Sequence, residues 1–286
     1  MSKEHTTTKD SQQSSIDLAS ALIKRGELVQ ARDLLSRRII NAPDDYRARL
    51  LLRESFLQPG TDSDDGTGEK SCPCCNNSFL FFLPGGPSFR PDACCPACES
   101  LERHRFLSLI LERLLQDTTA DASMIHVAPE QSLSPILRKK LNNRYFTIDR
   151  FADADIQCDL CSMPLGTDSI ELFMANHVLE HVKDDRLAMR EIRRILKPMG
   201  RALLQVPMDH TLSTTQEAPE GATPEDLFRL FGQDDHVRQY GTDFKDRLEE
   251  SGFTVREHTC LNTVTPKDIE TYGLHKDEIV WEAIKA

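Results

Sequence analysis

From Ser123 onward, short apolar runs of β type alternate with amphipathic helical runs, and this alternation restricts the fold more than any other feature of the chain. Ser123–Ala128 reads as a strand and Ser134–Leu141 as a helix; Tyr145–Ile148, closed by Asp149, is a second strand, and a third short one surrounds Ile156. Ile170–Ala175 is a buried strand, Asp185–Leu196 an amphipathic helix stopped by Pro198 and Gly200, and Arg201–Val206 the next strand. Asp243–Glu250 reads as a helix ended by Gly252, with Phe253–Glu257 and Glu278–Ile284 as a closing antiparallel pair. Strands separated by helices need crossover connections, so they lie parallel and helices cover both faces. The expected fold class over residues 100–286 is therefore α/β, a mostly parallel sheet with an antiparallel final strand.

Ahead of this region six of the nine cysteines fall between Cys72 and Cys98. Two C-x₂-C pairs, Cys72-Pro-Cys-Cys75 and Cys95-Pro-Ala-Cys98, are separated by nineteen residues. Four thiolates on two knuckles suit one tetrahedral ion, and a closed site of that kind points to a structural Zn²⁺ held by Cys72, Cys75, Cys95 and Cys98. Cys74 and Cys94 would give pairs of poorer spacing. Phe79–Leu83 followed by Pro84–Pro87 reads as a hairpin strand and turn, making residues 71–99 a small zinc-ribbon-like module that depends on its metal. Ser100 is an expected N-cap for a helix to about Gln116.

Residues 1–15 are polar and read as a disordered tail, and residues 58–70 as a linker free of hydrophobes. Between them, residues 16–57 carry Ile16, Ala19, Leu22 and Ile23, then Ala31, Leu34, Leu35 and Ile39, at helical spacing on either side of Gly26. This N-terminal helical hairpin, with a third helical stretch from Asp45 to Phe56, looks like one tetratricopeptide repeat and part of a second. A lone repeat is a poor scaffold, so it either packs on the rest of the chain or offers a surface for self-association or a protein partner. The net charge of −11 argues against a nucleic-acid partner, and the lack of a long apolar stretch argues against a membrane; the expected location is cytoplasmic.

The runs Asp159–Leu165, Thr167–Phe173, Asn176–Val182, Arg190–Arg201 and Leu203–Pro207 are similar, in order and spacing, to the successive motifs of class I methyltransferases of the type-11 group. CPACESLERHR (Cys95–Arg105) and FGQDDHVRQYG (Phe231–Gly241) further resemble a bacterial subfamily in which a four-cysteine zinc module precedes the methyltransferase domain. The resemblance implies a Rossmann-like sheet and S-adenosylmethionine as methyl donor. It assigns Asp149 to the ribose hydroxyls, Asp159 and Leu160 to the adenine, and Asn176 and His177 to the side facing donor and acceptor. The first-motif loop departs from the group. HVAPEQSL has His126 for the usual acid, Ala128 and Glu130 for glycines, and Pro129, so Ala128 and Glu130 are the expected cofactor contacts, Glu130 toward the ammonium.

His177, His236 and Arg238 are the expected catalytic groups, the last two on a segment, Met208–Gly241, long enough to be a lid. His181, one turn after His177, reads as a packing residue, and the arginines of ESLERHR as a solvated helix face or an anion-binding edge. The methyl acceptor is unidentified; the His and Arg content suits a small or sugar-like polar molecule. Two rival readings are an RNA methyltransferase gripping RNA with the zinc module, and a non-catalytic scaffold or interaction protein whose domain only resembles an S-adenosylmethionine binder.

Overall fold

The computed structural model describes residues 15–42, 45–56, 70–85, 90–119 and 121–286. The expected tail and linker thus lie almost wholly outside the described residues. Two compact units emerge: the described residues up to Leu109 with Val264–Lys276, and Ile110–Thr263 with Asp277–Ala286. This division differs from the expected one. The helical extension and the cysteine module share a unit, and residues 264–276 join them although the sequence alternation places them in the sheet domain.

The first unit begins with helices α1 (residues 15–24), α2 (Leu28–Asn41) and α3 (Tyr46–Phe56). Their apolar stripes meet: Ile16, Ala19, Leu22, Ala31, Leu35, Ile39, Ala48 and Leu52 form one buried cluster that also takes in Leu83 of the cysteine module. The extension is therefore packed on its own chain, with Arg49 donating to the carbonyl oxygen of Pro84 at 2.7 Å.

Two small hairpins follow: β1 (Lys70–Cys72) with β2 (Asn77–Phe79), and β3 (Leu83–Gly85) with β4 (Arg90–Cys94), both antiparallel. The run Phe79–Leu83 is not one strand as expected. It is shared between β2, which closes the hairpin around the first knuckle, and β3, whose partner β4 leads into the second. The two knuckles repeat one geometry. Asn76 and Glu99 sit at φ 56° and 57°, and their N–H groups donate to the carbonyls of Cys72 and Cys95 at 2.8 and 3.0 Å.

Helix α4 (Glu102–Gln116) starts two residues after Ser100, which is not its cap; His104 Nδ1 instead accepts from the N–H of Leu101. Arg105, expected at a solvated or anion-binding face, is fully buried. Its guanidinium donates to the carbonyls of Asp92, Ala93, Ser100, Tyr272 and Gly273 at 2.6–3.0 Å and lies 3.9 Å over the ring of Phe82. Gly273 is held at φ +54°, where a Cβ would stand 2.7 Å from Phe82, so only glycine lets this segment approach.

The second unit is built on a seven-stranded sheet. In chain order its strands are β5 (Met124–Val127), β6 (Tyr145–Asp149), β7 (Ile156–Gln157), β8 (Ile170–Asn176), β9 (Leu196–Gln205), β12 (Phe253–Thr259) and β13 (Ile279–Lys285). The spatial order is β12-β13-β9-β8-β5-β6-β7, and only β13 runs against its neighbours. Helices α5 (Ser134–Leu141), α6 (Asp185–Ile195) and α8 (Phe244–Glu250) make the crossovers. Strand β8 is apolar and buried along nearly its whole length because both of its faces are covered. The α/β, Rossmann-like fold with one antiparallel strand is as expected.

Helix α6 is capped by Asp184, which accepts from the N–H of Leu187, and it buries Ala188, Met189, Ile192 and Ile195. Each of the larger side chains contributes about 1.5–3 kcal/mol by leaving water. Strand β9 starts directly at Leu196, earlier than expected, through a bulge at which a Cβ on Gly200 would meet the Lys197 carbonyl at 2.8 Å. Helix α7 (Pro224–Phe231) lies in the expected long segment, which is pinned by β10 (Gln216–Glu217) pairing with β11 (Arg238–Gln239). Helices α9 (Cys260–Thr263) and α10 (Pro266–Thr271) escape the periodicity reading, although Thr265 and Asp268 form a capping box legible as T-P-K-D.

Arg105→Ala should cost the first unit about 3 kcal/mol or more, since five carbonyls lose a charged donor, and Arg105→Lys should recover little with one ammonium. Urea denaturation of both variants checks this; an unchanged midpoint would mean that water replaces the guanidinium.

Candidate functional site

Strands β5 and β8 are neighbours, yet the chain leaves β5 toward β6 and leaves β8 toward β9, in opposite directions across the sheet. Such a switch point opens a crevice at the carboxyl ends of the strands. A cavity of about 420 Å³ lies there. Val127 and Ala128 from the end of β5, Asp149 from the end of β6, Asp159 and Leu160 after β7, and His177 after β8 all line it. Of the expected cofactor contacts, Ala128, Asp149, Asp159 and Leu160 therefore converge on one cavity.

Asp149 is fixed by a tight turn, its Oδ1 accepting from the N–H groups of Phe151 and Ala152 at 2.7 Å each. Asp159 accepts from the N–H of Cys161 at 2.8 Å and pairs with Arg150 at 3.2 Å. Phe151, 85% exposed, also lines the cavity. Sequence reasoning missed it, although an aromatic two residues after the strand-ending acid is a readable signal for an apolar face beside a ligand.

The variant first-motif loop is tightly organised. Ala128 adopts φ 45°, and its N–H donates to the carbonyl of Ile148 at 2.8 Å. Below it, the buried His126 ring bridges the Tyr145 hydroxyl, 2.7 Å from Nδ1, and a Glu130 carboxylate oxygen at Nε2. Burial pushes the Tyr145 phenol up to about 12. The Glu130 carboxylate can only accept, so Nε2 is the donor of that bond. The other Glu130 oxygen accepts from Asn176 Nδ2 at 2.8 Å. Glu130 and Asn176 thus stand beside the cavity and tie the ends of β5 and β8 together rather than lining it. An acid is present at this edge after all, four residues later than the usual position.

The expected catalytic residues separate. His177 lines the cavity at φ 52°, its N–H anchored to the carbonyl of Gln205 at 2.8 Å. His236 is buried, and burial lowers its pKa below the ordinary histidine value. Arg238 is not a ligand contact. It is 2% exposed, and its guanidinium donates to the carbonyls of Leu179, Val182 and Lys183 and to Glu217. It therefore clamps the turn after β8, in which Leu179–His181 form a 3-10 helix. Asp209 and His210, on the same long segment, do not line the cavity; Asp235 does.

In the first unit, the Sγ atoms of Cys72, Cys75, Cys95 and Cys98 all lie within 4.8 Å of one another, with Cys72–Cys98 and Cys75–Cys95 at 3.7 Å. Sulfurs bound tetrahedrally at a usual Zn–S distance of about 2.3 Å stand about 3.8 Å apart, so the four fit a zinc ion. Ser100 Oγ lies 3.2 and 3.3 Å from Cys72 and Cys98, and Asn77 Nδ2 donates to Cys75 at 3.3 Å, as outer partners of thiolates do. Cys74 and Cys94 point to backbone carbonyls instead, and burial pushes the Cys94 thiol up to about 11.

The strand order and the crevice at its switch point are those of the class I methyltransferase fold. Residues 110–204, about a third of the chain, match the family described as a methyltransferase domain. The fold also resembles several solved structures. One is an S-adenosylmethionine-dependent methyltransferase from Mesorhizobium loti (14% identity, 62% of this chain and 97% of that one, TM-score 0.42). A second is a SAM-dependent methyltransferase from Aquifex aeolicus (11%, 61% and 89%, 0.36). A third is a phosphoethanolamine N-methyltransferase from Haemonchus contortus, solved with S-adenosylhomocysteine (13%, 63% and 52%, 0.40). No curated protein matches the chain. Among the described residues, no helix is long and apolar enough to cross a membrane.

Arg238→Ala should lower the stability of the second unit by about 2–4 kcal/mol, as a buried charged donor is lost from three carbonyls. Chemical denaturation reads this directly. A stable variant that retains cofactor binding but loses turnover would instead return Arg238 to the acceptor site.

Proposed function

We propose that this protein transfers a methyl group from S-adenosylmethionine to a small polar or sugar-like acceptor, and that its four-cysteine site holds a structural zinc ion. The observation that carries the reading is the convergence of Asp149, Asp159, Leu160 and His177 on one cavity at the switch point, within the segment that matches a methyltransferase domain. The donor, when bound, supplies an electrophilic methyl carbon on a sulfonium. Asp149, immobilised by its own turn, suits two vicinal ribose hydroxyls, and Leu160 with Phe151 offers apolar surface to a base. Glu130, held by His126 and Asn176, is the carboxylate nearest the ends of β5 and β8 to receive an ammonium. His177 is the expected group on the acceptor side, where alignment of donor and acceptor does most of the work.

The ordered Tyr145–His126–Glu130–Asn176 chain favours a working loop over a decayed one, and so an enzyme over a scaffold. Four thiolates leave no coordination position open for substrate, which makes the zinc structural. These features fit the bacterial subfamily with a zinc module, for which a cytoplasmic location is the natural expectation. Val29, Ile40 and Tyr46 are exposed on the helical extension and support a protein partner or a second copy of the chain there.

Asp149→Ala should weaken binding of S-adenosylhomocysteine by about 10- to 150-fold, the worth of a charge-assisted hydrogen bond, while the domain stays folded. Calorimetric titration decides, and unchanged affinity would remove Asp149 from the site. Elemental analysis of protein purified without chelator should find zinc bound by the cysteines in the wild type and in Cys74→Ser, and lost from the cysteine site in Cys72→Ser.

A further inference from the structure

Beside the cavity, the turn after β8 brings together groups that neither the methyl donor nor the structural zinc requires. Glu180 is fully buried, and neither carboxylate oxygen receives a hydrogen bond among the described residues. His236 is 6% exposed, and its buried Nδ1 likewise has no hydrogen-bond partner. His181 stands edge-on to His236 with ring centroids 4.7 Å apart. One ligand atom from each of Glu180, His181 and His236 falls within 4.8 Å of the others. Around them, His177 Nδ1 is 3.4 Å from a Glu180 oxygen without the alignment of a hydrogen bond, and Asp235 pairs with His181 at 3.2 Å.

A buried carboxylate with no donor is an unstable arrangement unless a cation sits beside it. The backbone holds the group in place regardless: Arg238 clamps Leu179, Val182 and Lys183, and the N–H of Val237 donates to the carbonyl of Glu180 at 2.9 Å. The chain therefore delivers His236 onto Glu180 and His181 by fixed hydrogen bonds rather than by chance approach. Imidazole binds a metal through a ring-nitrogen lone pair, and the buried Nδ1 of His236 has no other partner among the described residues.

We infer that Glu180, His181 and His236 bind a divalent transition-metal ion at the edge of the cavity. Two imidazoles and one carboxylate suit a first-row ion such as Co²⁺, Fe²⁺ or Zn²⁺ and leave coordination positions open. His181, Asp235 and His177 all line the cavity, so the open side is reachable from it. In a step that rests on the methyl-transfer reading, the ion would hold an acceptor hydroxyl at an open position and make it more acidic; its proton would pass to His177, which lines the cavity, and the oxygen would take the methyl carbon as the methyl–sulfur bond breaks and S-adenosylhomocysteine leaves. The acceptor class is then an oxygen nucleophile.

The test uses the full chain with its cysteine site already filled with zinc, dialysed against Co²⁺. One cobalt per chain should bind, with weak visible ligand-field bands and without the intense near-ultraviolet band of cobalt–thiolate. His236→Ala and Glu180→Gln should weaken that binding by at least about tenfold. His181→Gln, at a partly exposed position that the core does not need, should do the same while circular dichroism and zinc content stay at wild-type values. No cobalt beyond the thiolate site, or binding indifferent to all three substitutions, overturns the proposal. S-adenosylhomocysteine binding measured on the same samples separates the two readings. Its failure with cobalt still bound removes methyl transfer alone, and cobalt failure with the nucleoside still bound removes only the metal.

Discussion

In each unit one buried arginine gathers several backbone carbonyls at once. In the first unit Arg105 takes five, from Asp92 and Ala93 of β4, from Ser100 and from the 272–273 segment. In the second, Arg238 takes three from the turn after β8. A buried carbonyl without a donor is costly, and a planar guanidinium with five N–H groups can satisfy more of them at once than any other side chain. The irregular segments beside the cysteine cluster and the cavity are therefore held by hydrogen bonds as the strands are.

That arrangement explains how a loop with none of the usual glycines can still form a ligand edge. His126 replaces an acid, but the chain of hydrogen bonds through it reaches Glu130, so the carboxylate returns to the junction of β5 and β8 by a different route. Ala128 takes a positive φ that glycine would reach more cheaply, and the pairing of its N–H with Ile148 holds it there. Local geometry that looks unfavourable in the sequence is compensated by contacts from neighbouring strands.

The same logic separates the histidines. His177 and His181 both face the cavity, whereas His236 approaches from a segment pinned by β11 and the Glu180 carbonyl. The carboxylate of Glu180, buried beneath them, is unremarkable in the run N-H-V-L-E-H-V. Its burial without a donor appears only when the turn is folded and the long segment is laid across it.

The sequence alone determined the sheet, because strand and helix periods and their alternation are local properties that dictate parallel pairing. It also determined the acid closing β6 and the clustering of Cys72, Cys75, Cys95 and Cys98, since knuckle spacing is set by a few covalent links. What it could not decide were properties created by distant approach. Arg105 and Arg238 read as surface or substrate-facing charges and are instead internal clamps, because their partners lie up to 168 residues away along the chain. Residues 264–276 join the cysteine module rather than the sheet, with Gly273 packed against Phe82, a contact no periodicity encodes. Only the tertiary structure set Glu180, His181 and His236 within reach of one another, because two of them come from a turn after β8 and the third from a loop more than fifty residues on.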